Sequence, residues 1–388
     1  MAGIKRLCVV TVHGIGFQQP PDGAVPGYAD VLHENLGAGL QAVGTSLGQD
    51  PQRRPGAAGP VYVMSAKPGT HDHEWGLKRL GTWNGGTIDI TGMPLADGDD
   101  PVVHVALIYT PLEGVTPGLA RGPGAVTEAG LLLGHYASIA GALRLVAGDT
   151  WAALHEDGAG KATSPSLRPR RDTKSDKKHL LAALLHQQPD ITGALGVIGT
   201  LEDDVVAYVC RNDLRESIRK FIAEALHRLL NRPDVAGVVV NAHSQGTVAS
   251  YDVLRLPAAD APARVRAFVS AGSPLRKYAD LFSWGNDAGA LQGTPWLNFW
   301  DPEDPVADPL SPPVSWHFGN PPDSPPAGEL GLFYSLDGDA KQIPVAITDT
   351  EVSNLKNSSG GGLQAHNYWD NKDEFIGKLA GLLKASAD

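Results

Sequence analysis

The chain has 388 residues, which is enough to bury a substantial core in one α/β domain with insertions. Its 43 acidic side chains outnumber 32 basic ones and give a formal net charge of −11. This charge argues against a nucleic-acid surface and against adhesion to anionic lipid, so we expect a neutral or weakly polar substrate and no nucleic-acid partner.

The N-terminal end predicts a strand and not a targeting segment. The apolar run after Lys5 and Arg6 has about six residues, too few for the core of a signal peptide. The two cysteines, Cys8 and Cys210, fall in a predicted strand and a predicted helix, so no disulfide framework is indicated. We therefore expect a cytoplasmic protein in a reducing compartment.

The first part of the chain alternates between strand and helix patterns. Residues 7–12 predict a strand that runs into the tight loop His13-Gly14-Ile15-Gly16, and residues 30–40 predict a helix. Residues 44–60 are rich in glycine and proline and predict a loop. Residues 61–65 and 102–109 predict two more strands, with a hairpin or an irregular flap between them.

Residues 111–200 predict a helical or lid insertion. The most apolar segment, 125–148, is interrupted by Glu128, His135 and Arg144, so its uncharged run is short for a membrane span. We interpret it as a buried or lid helix, with peripheral membrane contact as the less favoured alternative. The basic stretch 156–178 predicts an exposed loop, and 179–188 and 192–210 predict helices.

The second half of the chain returns to alternating strands and helices. Strands are predicted at 238–240, 265–270, 296–300 and 343–348, and helices at 213–231, 247–254 and 371–385. A Pro-rich loop insertion covers 307–340. We therefore predict a single α/β domain over residues 1–388, with a mostly parallel central sheet flanked by helices.

One stretch between a strand and a helix carries a candidate nucleophile. Ala242-His243-Ser244-Gln245-Gly246 differs by one residue from the G-x-S-x-G turn that lifts a serine hydroxyl clear of a sheet. Ala242 stands where the first glycine is usual. The structural alternative is that Ser244 only caps the helix that follows.

A serine nucleophile needs a base and a group that orients the base, and behind a turn of this kind the acid precedes the histidine in the chain. Asp304 follows the predicted strand 296–300 on a rigid Pro-containing loop, and Asp301 is the alternative acid. His366 lies between the last predicted strand and the terminal helix, beside Tyr368 and Trp369, which could support it by packing. We therefore predict His366 as the general base.

The developing negative oxygen of the reaction also needs backbone donors. One candidate donor is the amide of Gln245, directly after Ser244. The second is expected from the loop after the first strand, where Ile15 is favoured and Gly16 is the alternative. The cluster His71-Asp72-His73-Glu74 lacks H-E-x-x-H spacing, so we predict neither a metal site nor a cofactor.

These signals together resemble the α/β-hydrolase superfamily, in particular bacterial serine esterases and lipases whose first strand ends in V-H-G-x-G. Gly272-Ser273-Pro274 extends the likeness to esterases related to GPI-inositol deacylases. The resemblance implies a serine hydrolase that cleaves carboxylic esters of apolar or lipid-like acyl groups. The alternatives are a thioesterase, an amidase or an acyltransferase with the same triad, or a non-catalytic interaction protein that keeps the fold.

Overall fold

The computed structural model describes residues 5–14, 27–52, 59–65, 73–91, 93–109, 208, 212–256, 264–282, 287–304, 306–311, 332–357 and 364–387. Within these ranges a central eight-stranded sheet carries helices on both faces, which is an α/β architecture. The predicted helices at 125–148 and 179–188, and nearly all of the one at 192–210, lie outside these residues.

The strands of the central sheet follow the order β12-β9-β8-β7-β1-β6, and both β2 and β3 pair with β6. Their bounds are β1 Arg6–Val12, β2 Leu47–Gly48, β3 Val61–Met64, β6 Val102–Ile108, β7 Val235–His243, β8 Val265–Ala271, β9 Trp296–Trp300 and β12 Ile347–Glu351. Every pairing between them is parallel. The carboxyl ends of all these strands therefore meet at one edge of the sheet.

The two-residue alternation of the strands divides the core into two layers. In the central strand β1, Cys8 and Val10 belong to one buried cluster, whereas Leu7 and Val9 belong to the other. Because both faces of this strand are covered, its sequence reads as a continuous apolar run.

Helices cover both layers. Their bounds are α1 Tyr28–Ala42, α2 His73–Lys78, α3 Asn212–Asn231, α4 Gln245–Leu254, α5 Leu275–Phe282, α6 Asn354–Asn357 and α7 Gly377–Ala387. Leucines of α1 and α7 pack in the cluster with Leu7 and Val9. Apolar residues of α3 and α4 pack in the cluster with Cys8 and Val10.

Most predicted elements that fall on described residues are confirmed, with ends that differ by a few residues. The expected flap between β3 and β6 contains α2 and a hairpin of β4 Thr82–Asn84 and β5 Thr87–Asp89. The predicted terminal helix begins with a π-helical turn at Lys372–Ile376, in which the Ile376 N–H donates to the Asn371 carbonyl five residues earlier at 2.9 Å. The Asn371 side chain caps this turn by accepting from the Glu374 N–H at 3.0 Å.

The single strand predicted at 343–348 is wrong. The chain forms β11 Gln342–Pro344, which pairs with β10 Tyr334–Leu336, and only then enters the central sheet as β12. The hairpin contact continues to Val345, whose N–H donates to the Phe333 carbonyl at 3.1 Å, and the chain joins the central sheet from Ile347 onward. The apolar run is therefore divided between two sheets.

None of the helices within the described ranges is both long enough and apolar enough to cross a bilayer.

Candidate active site

Ser244 occupies a sharp turn between β7 and α4. Its backbone has φ 52° and ψ −129°, a region that side-chain-bearing residues rarely adopt. Its N–H donates to the carbonyl of Ala271 on β8 at 3.0 Å, which holds the turn against the neighbouring strand. The strain is thus maintained by the surrounding sheet, as expected for a turn that presents a functional side chain.

Gly246 permits this turn because α4 passes directly over β1. A Cβ atom at Gly246 would lie 2.5 Å from the carbonyl oxygens of both Val12 and His13. Ala242, the departure from the usual motif, is a buried strand residue opposite Val12 and Ser270. The extra methyl group therefore lies in the core.

The loop after β1 lies against the serine. A Cβ atom at Gly14 would come within 2.5 Å of Ser244 Cβ and 3.1 Å of Ser244 Oγ. The Ser244 side chain is buried, and its Oγ has no hydrogen-bond partner among the described residues. The predicted oxyanion donors Ile15 and Gly16 lie outside the described residues, which end at Gly14 on this side of the loop.

His13 anchors the start of this loop through Tyr109. The Tyr109 hydroxyl donates to the His13 carbonyl at 2.9 Å, and the Tyr109 N–H donates to His13 Nε2 at 3.2 Å. The two rings stack with centroids 4.3 Å apart. Burial lowers the pKa of His13 to about 4, so the ring is neutral and its Nδ1–H donates to the Gly14 carbonyl at 2.7 Å. His13 thus shapes the loop.

Asp304 and His366 form a buried pair at the same edge of the sheet. His366 Nδ1 lies 2.7 Å from Asp304 Oδ2, and both side chains are fully buried. The other carboxylate oxygen of Asp304 accepts from the Val306 N–H at 2.9 Å. This arrangement fixes both the carboxylate and the imidazole, and it leaves Nε2 as the ring nitrogen that could exchange a proton with a substrate group.

Gly272 makes room for the histidine. It has φ +62°, and a Cβ atom there would lie 2.7 Å from Cε1 and 2.9 Å from Nδ1 of His366. Because Gly272 directly follows Ala271, which accepts from Ser244 N–H, the histidine ring and the serine turn both adjoin the end of β8. The Gly272-Ser273-Pro274 motif thus has a specific steric role.

Asp301, the alternative acid, has different partners. Its Oδ2 accepts from the Asn354 N–H at 2.6 Å, and its Oδ1 accepts from the Glu303 N–H at 2.8 Å. Burial raises the pKa of this carboxyl above its ordinary value. Asp301 therefore organises the loop, and Asp304 is the acid that contacts His366.

His243, next to the serine, contacts His366 from the other side. Its Nε2–H donates to the His366 carbonyl at 3.0 Å, and the two rings are 4.5 Å apart. Tyr28 stacks on His243, and Trp369 meets it edge-on. Burial lowers the pKa of His243 well below its ordinary value, so it acts as a neutral hydrogen-bond donor. This role of His243 was not predicted from the sequence, although the residue adjoins Ser244 in the chain.

Gln245 is the first residue of α4, so its backbone N–H has no acceptor within the helix. Its side-chain Oε1 accepts from the Tyr278 hydroxyl at 2.7 Å, which ties the start of α4 to α5. Thr247 Oγ1 donates to the Ser244 carbonyl at 2.7 Å and thereby stiffens the same turn. The Gln245 amide is thus held next to Ser244 in a well-defined orientation.

Within the described ranges no group of three metal-binding side chains occurs. In the cluster at residues 71–74, residues 71 and 72 lie outside those ranges, and residues 73 and 74 begin α2.

The chain matches no family model, no curated protein and no solved structure.

Proposed function

We propose that this chain is a cofactor-independent serine hydrolase of the α/β-hydrolase type that cleaves carboxylic esters. The observation that carries the proposal is the buried His366–Asp304 pair at the sheet edge where Ser244 occupies a strained strand-to-helix turn. A serine after β7, an aspartate after β9 and a histidine after β12 thus lie at one edge of the sheet, and these three residue types have complementary roles in acyl transfer.

In the proposed reaction Ser244 Oγ attacks the ester carbonyl while His366 Nε2 accepts the hydroxyl proton. Asp304 holds the Nδ1–H tautomer and stabilises the imidazolium that forms. His366 then returns the proton to the departing alcohol, and water repeats the sequence to release the acid from the acyl-enzyme.

The tetrahedral intermediate needs donors for its negative oxygen. The Gln245 amide at the start of α4 is one proposed donor, and Ile15 remains the proposed second, with Gly16 as its alternative. His13 and Gly14, directly before Ile15 and Gly16 in the chain, are held by the His13–Tyr109 contacts, so Gly14 approaches Ser244 in a fixed conformation. This anchoring supports the oxyanion role because preorganised donors contribute most.

Covalent labelling tests the proposal without knowledge of the natural substrate. A fluorophosphonate probe is expected to label wild-type protein at Ser244 and to leave Ser244→Ala unlabelled. A folded wild-type protein that resists the probe would contradict the enzymatic proposal and favour the non-catalytic interaction protein.

A panel of esters, thioesters and anilides of matched acyl chains then separates the reaction types. We expect carboxylic esters with apolar acyl groups to give the highest kcat/KM. A preference for thioesters, for amides or for acyl transfer to an added alcohol would replace the esterase assignment while keeping the triad.

A further inference from the structure

The Asp304 carboxylate has a partner besides His366 and the backbone. Its Oδ2 atom accepts from His366 Nδ1 at 2.7 Å and also from the Tyr368 hydroxyl at 2.9 Å. The Tyr368 side chain is fully buried. The carboxylate oxygen that faces the imidazole therefore accepts two hydrogen bonds, one from the imidazole and one from a phenol.

The direction of this second hydrogen bond is fixed by a neighbour. The Asp301 N–H lies 2.9 Å from the Tyr368 hydroxyl oxygen, and a backbone N–H can only donate. The single phenolic proton therefore goes to Asp304. Burial and the adjacent Asp304 charge raise the pKa of Tyr368 well above its ordinary value, so the phenol keeps this proton.

The other ionisable groups around His366 act differently. His243 donates to the His366 carbonyl and not to the Asp304 carboxylate, and His13, in the loop after β1, contributes to the lowered pKa of His243. The Asp301 carboxylate is turned toward two backbone N–H groups. Among the described side chains, Tyr368 and His366 are the two that donate to Asp304 Oδ2.

We propose that Tyr368 is a positioning residue that limits the strength of the Asp304–His366 hydrogen bond and thereby sets the pH range in which His366 acts as a base. The inference rests on the proposed function. The phenol withdraws charge from the oxygen that stabilises the imidazolium, so its loss leaves the histidine protonated up to a higher pH. Its loss also frees the carboxylate to rotate about its remaining contacts.

The test measures the rate of Ser244 phosphonylation by a fluorophosphonate as a function of pH. In Tyr368→Phe we expect the midpoint of the acidic limb to rise by about 0.5–1 pH unit and the plateau rate to fall about 10-fold. With an ester substrate the loss is expected in kcat, with KM changed little.

Tyr208→Phe is the matched control. The Tyr208 hydroxyl donates to Asp252 Oδ2 at 3.0 Å, and both residues are buried. The control therefore removes the same phenol-to-carboxylate hydrogen bond about two helical turns along α4 from Ser244. Its pH profile is expected to match that of the wild type.

Two further variants separate positioning from a general loss of structure. In an Asp304→Asn background, Tyr368→Phe should change the rate less than about 2-fold, whereas a purely structural effect would persist. Replacement of Tyr368 by 3-fluorotyrosine keeps the hydroxyl and strengthens it as a donor. This replacement should move the acidic limb to lower pH, so the proposal stays testable if Tyr368→Phe does not fold.

An acidic limb that moves in neither Tyr368 variant would overturn this inference while leaving a labelled Ser244 and the proposed function intact. The far-downfield proton resonance of His366 Nδ1 provides a readout with no catalytic step. The midpoint of the pH titration of this resonance is expected to rise in Tyr368→Phe and to fall in the 3-fluorotyrosine variant. An unchanged midpoint would overturn the inference even in a protein without hydrolase activity.

Discussion

Replacing Gly246 by alanine tests the packing that creates the serine turn. A Cβ atom there would lie 2.5 Å from two backbone oxygens, whereas ordinary contact begins at 3.4 Å. Helix α4 and strand β1 would have to separate by the difference of about 0.9 Å, and neither backbone can rotate out of the way. The displacement would also move Ser244 and the Gln245 amide.

The expected cost follows from two opposing effects. Overpacking of a tight contact costs about 1–3 kcal/mol or more, while alanine in a helix gains up to about 1 kcal/mol over glycine. We therefore expect Gly246→Ala to lower the free energy of unfolding by roughly 1–2 kcal/mol. A misplacement of this size is also expected to reduce kcat by about 100-fold.

Gly381→Ala in α7 is the matched control, because Gly381 is exposed and a Cβ atom there would meet nothing within 4 Å. It should stabilise the protein by up to about 1 kcal/mol. Urea unfolding followed by far-ultraviolet circular dichroism compares the two variants through their midpoints. If Gly246→Ala unfolds at the same urea concentration as Gly381→Ala and keeps its labelling rate, the close approach of α4 to β1 is refuted.

Three further predictions concern the acid, the histidine site and the buried imidazoles. Asp304→Asn is expected to reduce kcat by about 10⁴-fold, because His366 loses the group that fixes its tautomer. Asp301→Asn should reduce kcat far less. A large loss of kcat in Asp301→Asn alone would reverse the assignment of the acid. Gly272→Ala should abolish labelling of Ser244 in a folded protein, since its Cβ atom would overlap the His366 ring, and normal labelling would contradict the position of that ring. Burial lowers the pKa of His104 well below its ordinary value. As the pH falls below 6.5, His104 therefore becomes protonated in the unfolded chain while it stays neutral in the folded chain. Neutral His104 therefore leaves the folded state at full stability above about pH 6.5, and below that pH it lowers the free energy of unfolding by up to about 1.4 kcal/mol per pH unit. Urea titrations at several pH values should show a shallower decline of this free energy with falling pH in His104→Gln than in the wild type. An equal decline in both proteins would exclude this contribution.

Local sequence patterns predicted most of the described elements, apart from the strand at 343–348, and also the residues next to them. The apolar run before Ala242 and the helical pattern after Gly246 predicted the turn at Ser244, and Asp304 was expected directly after the strand at 296–300 because loops follow strand ends. These relations are short-range, because each predicted residue lies within a few residues of the strand or helix that positions it.

The contacts that tune the site could not be predicted in this way. Tyr368 meets Asp304 across 64 residues, and Tyr109 meets His13 across 96. Such pairs depend on which strands become neighbours in the sheet. Tyr368 was expected to support His366 by packing, and its hydroxyl contact with Asp304 emerged only when the loops after β9 and β12 were brought together.

The central position of β1 has a consequence for how the molecule folds. This strand is synthesised before the other strands of the described sheet, yet one of its two neighbours, β7, begins with Val235 opposite Arg6, about 230 residues later in the chain. Until β7 has been synthesised, a nascent chain leaves one edge of this largely apolar strand unpaired, a state prone to mispairing. The same docking event brings Gly14 against Ser244 and Gly246 against Val12. Pairing of β7 with β1 and the approach of Ser244 to the loop after β1 are therefore one step, and a nascent chain that ends before β7 cannot form this part of the candidate site.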